Sequence, residues 1–192
     1  MIGKVYSAAV TGIYAVPVEV QADVAPGIPY FELTGNLAGT TKEAKERVRI
    51  AIKNSKFQIN PSKITINMIP ANIRKEGTSY DLAVAVAVLT AVGVIAAKKV
   101  SGALFIGELG LDGGICNVSS ILPMTLCARD NGFTICYVPM GNVGEASLVT
   151  GIRVIGISSL RECVDYINNG CNCRAHIDNN IDNAADNNID FA

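Results

Sequence analysis

The stretch Arg74-Lys75-Glu76-Gly77-Thr78-Ser79-Tyr80-Asp81 sets three hydroxyls, two cations and two carboxylates directly ahead of an apolar run from Leu82 to Val92. A serine there lies where peptide dipoles at a helix start favour developing negative charge. Ser79 could act as a nucleophile if a neighbouring base took its proton. The plainer role is capping. Thr78 with Asp81 three residues on has the form of a short capping box, and Thr78 or Ser79 can accept a first-turn N–H.

The elements that hold this turn can be read around it. The run after Asp81 alternates Ala and Val, but both alternating sets are apolar, so no polar face marks a strand. Its length and preceding cap predict a helix that ends near Gly93. A helix apolar on all sides has to be covered all round, which puts it at the centre of the core. A second helix is predicted from about Thr41 to Asn54, with Thr40 and Glu43 as a capping box and Glu43–Arg47 as an i,i+4 pair. Ala44, Val48, Ala51 and Ile52 form its inner face, and Lys42, Lys45, Arg47, Arg49 and Lys53 are spread around the rest. Such a charge run is ordinarily a solvated face. Together with Arg74 and Lys75, these side chains are candidates for a phosphate or inter-subunit contact.

Strands are predicted at 2–10 and 13–24 as a hairpin through Gly12, then at Pro29–Thr34, which reads as a three-strand antiparallel meander. A strand follows at Lys63–Ile69. After the central helix come a strand at Ala103–Leu109, an Asp112-Gly113-Gly114 turn and a short strand at Ile115–Val118. A helix from about Leu122 to Asn131, strand 134–138, a short helix near Val143–Leu148, strand 153–157 and helix 158–168 complete an alternating half. The class is mixed α/β, antiparallel strands first.

The chain of 192 residues is 49% hydrophobic, enough for one sizeable core. No apolar run reaches the ~20 residues of a membrane span, and no signal-peptide core opens the chain. The expectation is a cytoplasmic protein with no membrane partner and reduced thiols. Cys116, Cys127, Cys136 and Cys163 fall in apolar patterns and are expected to pack as small hydrophobes. Residues 1–170 are read as one domain and 171–192 as an Asn/Asp-rich linker unable to fold alone. Without that tail the body has 15 basic and 13 acidic side chains, a net of about +2, which argues against a general nucleic-acid binder. Cys171, Cys173 and His176 supply three potential metal ligands where a structural zinc site needs four, so no metal is expected.

Three segments, Glu43 to Lys53, Lys75 to Leu82 and Gly107 to Asp112-Gly113, with Ile121-Leu122-Pro123-Met124 and Ile157 to Leu160, resemble one group. It is the N-terminal domain of the magnesium-chelatase-like AAA+ ATPases of the ComM/YifB type, and the likeness covers roughly residues 3–168. The resemblance implies a fold similar to the proteolytic domain of Lon, in the ribosomal-protein-S5-domain-2-like class. Lon-type domains use a Ser–Lys dyad. Ser79 matches the serine, and Leu122 stands in the lysine's place. Leucine accepts no proton, so the resemblance implies a fragment without peptidase activity and without a cofactor of its own. No G-x-x-x-x-G-K-[S/T] phosphate loop occurs in the chain. ATP and Mg2+ are implied for an AAA+ module after Ala192, within a homo-hexamer that acts on branched DNA. The domain's expected role is accessory, with weak DNA contact. Lon-like peptidase action by Ser79 and chelatase-associated regulation are the alternatives.

Overall fold

The computed structural model describes residues 2–170 and the backbone of His176–Ile177. Strands β1 (Ile2–Thr11) and β2 (Tyr14–Pro26) form the expected hairpin, in register from Ile2↔Asp23 to Thr11↔Tyr14. Then follow β3 (Tyr30–Thr34), α1 (Gly39–Lys42), α2 (Ala44–Asn54), β4 (Ser62–Ile69) and the central α3 (Asp81–Ala91). The second half runs β5 (Ala103–Phe105), β6 (Glu108–Leu109), β7 (Ile115–Cys116), α4 (Ile121–Asp130) and β8 (Ile135–Pro139). It closes with α5 (Val143–Ala146), β9 (Arg153–Ile157), α6 (Leu160–Asn169) and β10 (His176–Ile177).

The class is mixed α/β. Eight strands form one sheet in the order β10-β9-β8-β5-β1-β2-β4-β3, and β6 pairs with β7 separately. The expected meander is corrected here. β4, not β3, pairs antiparallel with β2, and β3 lies at the edge, parallel to β4. A helical connection separates β3 from β4, and such a connection permits parallel pairing where a tight hairpin does not. β5, β8 and β9 extend the other side of β1 in parallel.

Alternation along β1 divides the interior. Val5 and Ala9 belong to the core built on α3, and Ala8 belongs to a second core with Leu104, Cys136 and Val154 under α4. Every residue of α3 is buried: its apolar side chains as their all-round distribution requires, Thr90 with its hydroxyl donating to the Val86 carbonyl at 2.8 Å, and Asp81 with the partner described below. Its small side chains let β1 approach closely. A Cβ on Gly3 would lie 2.1 Å from the Ala87 carbonyl oxygen. The helix ends as predicted at Gly93 (φ 81°), where Gly93 N–H donates to Thr90 O and Val94 N–H to Leu89 O.

Several local expectations fail for identifiable reasons. Neither Thr78 nor Ser79 caps α3, since the Leu82 N–H donates instead to the Gly107 carbonyl at 3.0 Å, brought in from the β5–β6 link. The predicted second helix divides at Glu43 without a side-chain cap. Thr41, not Thr40, is its working hydroxyl, and it bonds elsewhere. The strand expected over 103–109 breaks after Phe105. Cys116 is exposed, whereas Cys127, Cys136 and Cys163 are buried as expected. A side-chain cap does form at α6, where the Ser159 hydroxyl accepts from Glu162 N–H at 3.1 Å and the Glu162 carboxylate reaches back past the N-cap to accept from Ser158 N–H at 2.7 Å.

Within the stretch read as a linker, the backbone of β10 pairs antiparallel with β9. Cys171, Cys173, the side chain of His176 and residues 178–192 lie outside the described residues. Among the described residues no three His, Cys, Asp or Glu side chains gather as a metal site. No helix among them is long and apolar enough to cross a membrane.

Candidate functional site: the Ser79 pocket and the basic groove

The turn before α3 is held from below by α1. The Thr41 hydroxyl donates to the carbonyls of Lys75 and Gly77, each at 3.0 Å, and Ala38 N–H donates to Lys75 O at 2.9 Å. Lys75 itself turns inward. Its side chain is fully buried, its ammonium donates to the Pro70 carbonyl, and burial pulls its pKa down from the ordinary lysine value. Lys75 therefore presents no charge at the surface. Arg74 is exposed and pairs with Glu76 at 2.9 Å.

Ser79 lines a pocket of about 360 Å³ with Val10, Glu76, Glu108, Ser119, Ser120 and Met124 among its walls. Three elements meet there: the turn before α3, the start of β6 and the loop leading into α4. Ser120 enters α4 with a left-handed backbone (φ 60°). The Asn142 side chain fixes that loop by bonding Val118 N–H at 2.9 Å and Val118 O at 3.0 Å. Thr78 donates its hydroxyl to the Glu108 carboxylate across the pocket edge. Ser79 is only 7% exposed, and its hydroxyl bonds to no described residue. No lysine, arginine or histidine is among the described lining residues. Leu122 is not among the lining residues. It is half-buried against the second core, and Met124 two residues on reaches the pocket.

Behind this turn lies a buried ion pair absent from the sequence expectations. Asp81 is fully buried at the start of α3 and is gripped by Arg47 through Nε at 2.8 Å and Nη2 at 3.1 Å, with Leu109 N–H at 3.3 Å. Burial outweighs the pairing, and the Asp81 carboxyl is pushed up to about 6. The hydrogen bond to Asp81 raises Arg47 in turn. The expected Glu43 partner is the weaker one, at 3.9 Å. Tyr80, also buried, is pushed up to about 12 by burial. Arg47 is thus committed to the interior and is no free surface cation.

The remaining basic side chains of α2 are not spread evenly. Lys45, Arg49 and Lys53 recur every four residues, and all three line a groove of about 920 Å³ with Lys56. Its other wall is the β3 edge, with Tyr30 53% exposed and Phe31 half-buried, and Phe57 lies at the base. Arg161 stacks over the Phe57 ring at 4.3 Å. One carboxylate, Glu46, stands among the cations and pairs with Arg49 at 2.8 Å. Lys42 is exposed but is not part of the groove lining. The four-residue spacing is present in the sequence; Tyr30 and Phe31 are hidden by the expected pairing of β3 with β2, and Phe57, between α2 and β4, carries no periodic pattern that places it.

The family described as the ChlI subunit of Mg-chelatase matches residues 20–142, a segment that contains the basic groove's helix, the Ser79 turn and the α4 loop. The chain belongs to this family. Among individual proteins, it is 35% identical over 166 residues to an uncharacterised protein of Mycobacterium tuberculosis, covering 86% of this chain and 33% of the relative. It is 33% identical to competence protein ComM of Haemophilus influenzae, over 85% of this chain and 32% of the relative. It is 36% identical to the uncharacterised protein YifB of Escherichia coli, over 77% and 29%. The chain thus spans about a third of the length of these curated relatives.

Proposed function

We infer that this chain is a non-catalytic accessory domain of a magnesium-chelatase-like AAA+ ATPase, and that it offers a DNA-contacting surface to the motor. The observation that carries the reading is the groove, where Lys45, Arg49, Lys53 and Lys56 face exposed aromatic surface at Tyr30. Cations along a groove track a phosphate backbone, and an aromatic face accepts a stacked base of any sequence. The likeness to a competence protein supports the same direction. ATP and Mg2+ belong, in this reading, to a separate module of a longer, hexameric, cytoplasmic protein. The Lon-like resemblance is read as a retained scaffold. A peptidase would need a base beside Ser79, and the pocket's described lining offers carboxylates and hydroxyls but no nitrogen base.

A single copy should bind single-stranded DNA weakly, with Kd near ~10⁻⁴ M or poorer at physiological salt, and a ring of copies more tightly through effective concentration. Fluorescence anisotropy of a labelled oligo-dT is the test. Arg49→Glu with Lys53→Glu should weaken binding by about tenfold or more at low salt and leave ATP hydrolysis by the assembled protein unchanged. Equal affinity in that variant would remove the groove as the DNA contact.

A further inference from the structure

The Ser79 pocket has a chemistry that the accessory reading does not use. Its walls include the apolar side chains of Val10, Met124 and Val118, and its polar lining includes Glu76 and Glu108. The described lining holds two carboxylates and no cation. Arg74 meets Glu76 from outside, but both side chains are 67% exposed, and a pair that exposed holds little. Glu108 uses one carboxylate oxygen for Thr78, and a carboxylate has about four acceptor sites in all. Independently of these acids, Ser79 is more than nine-tenths buried, lines the cavity and has a hydroxyl with no partner among the described residues. The hydroxyl is reached from the cavity, where a bound group can supply the hydrogen bond that no described side chain makes.

The lining selects the ligand. An anion would meet two carboxylates. A dehydrated metal centre gathers three or more His, Cys, Asp or Glu ligands, and none gather so among the described residues, while a hydrated ion held by two carboxylates would leave the apolar walls of Val10, Val118 and Met124 uncovered. An alkyl chain that ends in an ammonium suits both halves, because its stem covers apolar wall while its tip donates three hydrogen bonds. We propose that the Ser79 pocket binds a primary alkylammonium group, its stem against Val10 and Met124 and its nitrogen donating to Glu108 and Ser79. Such a group comes from a free amine or from a lysine side chain of another polypeptide. The site is distinct from the basic groove on α2, so its failure would leave the DNA reading intact.

The test is an amide chemical-shift titration of the whole chain with n-butylamine, and with 1-butanol as the neutral isostere. Butylamine should shift the amides of Thr78, Ser79, Glu108 and Ser119, with Kd in the ~mM range expected of so small a ligand. Butanol should bind at least ~10-fold more weakly, the loss typical of one missing charged hydrogen bond. Glu108→Gln, which keeps an acceptor for Thr78, should weaken butylamine by a similar factor, and Ser79→Ala by severalfold. If Glu108→Gln loses its dispersed spectrum, the exposed Glu76→Gln gives the same comparison with a smaller loss. Putrescine against a blocked Gly-Lys-Gly peptide then separates the sources: tighter peptide binding assigns a polypeptide side chain, tighter putrescine binding a free amine. Butanol binding as well as butylamine, shifts outside the pocket, or an unchanged Kd in the folded glutamate variants would overturn the proposal.

Discussion

Replacing either member of the Arg47–Asp81 pair should give opposite results. Asp81 is fully buried and the Arg47 side chain is 20% exposed. Burial pushes the Asp81 carboxyl from 3.8 to about 6 despite the arginine. At about 1.4 kcal/mol per pH unit, that rise corresponds to ~3 kcal/mol by which the folded state prefers the protonated form. A carboxyl whose folded pKa lies above its unfolded value favours folding below about pH 4 and loses that contribution as pH rises through about 6. Asp81→Asn keeps the shape and removes the buried charge, its amide oxygen still accepts from the guanidinium, and Arg47 keeps the Thr40 carbonyl at 3.2 Å and the Glu43 carboxylate at 3.9 Å. We expect Asp81→Asn to gain about 1–3 kcal/mol near pH 8, with the gain gone near pH 4. Arg47→Met instead leaves a buried carboxylate facing only Leu109 N–H at 3.3 Å, and should lose about 3–5 kcal/mol near pH 8 and less as Asp81 protonates. Urea unfolding followed by circular dichroism reads both, since 1–3 kcal/mol moves the midpoint by roughly 1 M. A loss above ~1 kcal/mol for Asp81→Asn near pH 8, or no pH dependence in the difference, would refute the reasoning.

Four further outcomes follow from the packing of α3 and the turn before it. Gly3→Ala should destabilise by at least ~2 kcal/mol in the same assay, because its Cβ would meet the α3 backbone at Ala87 and Ala91. Thr41→Val removes both bonds to the Lys75 and Gly77 carbonyls and should cost about 1–3 kcal/mol. Ser79→Ala breaks no bond within the described chain, so its unfolding free energy should stay within ~0.5 kcal/mol of the parent. A serine-directed acylating probe should leave the parent chain unlabelled, and labelling that vanishes in Ser79→Ala would contradict the non-catalytic reading.

Much of this was legible in the residues. The apolar run Leu82–Ala91, interrupted only at Thr90, places α3 at the centre, and alternation at Val16, Val18 and Val20 marks β2. What failed was set by partners far along the chain. Local chemistry favoured a side-chain cap on α3, yet the Gly107 carbonyl takes the Leu82 N–H. The position of β3 depended on its connection to β4, and an isolated strand pattern carries no such information. Lys75 read as a surface cation because its partner, the Pro70 carbonyl only five residues upstream, is brought over the ammonium by a loop conformation that no residue pattern announces. Thr78 meeting Glu108, and Arg47 meeting Asp81, are likewise contacts between segments that no spacing rule joins. The groove was half visible, its basic stripe at four-residue intervals and its aromatic wall hidden by the misplaced strand.

The most direct test of the accessory DNA-contacting role is the salt dependence of oligo-dT binding by the intact assembled protein. Lys45, Arg49, Lys53 and Lys56 line one groove, and each phosphate contact on a single strand contributes about 0.7 to the slope of log K against log salt. Neutralising Lys45, Arg49 and Lys53 to Gln should reduce that slope by about 2 per strand contacted by one domain, with weaker binding at every salt concentration. A slope and affinity equal to those of the parent protein would contradict the account.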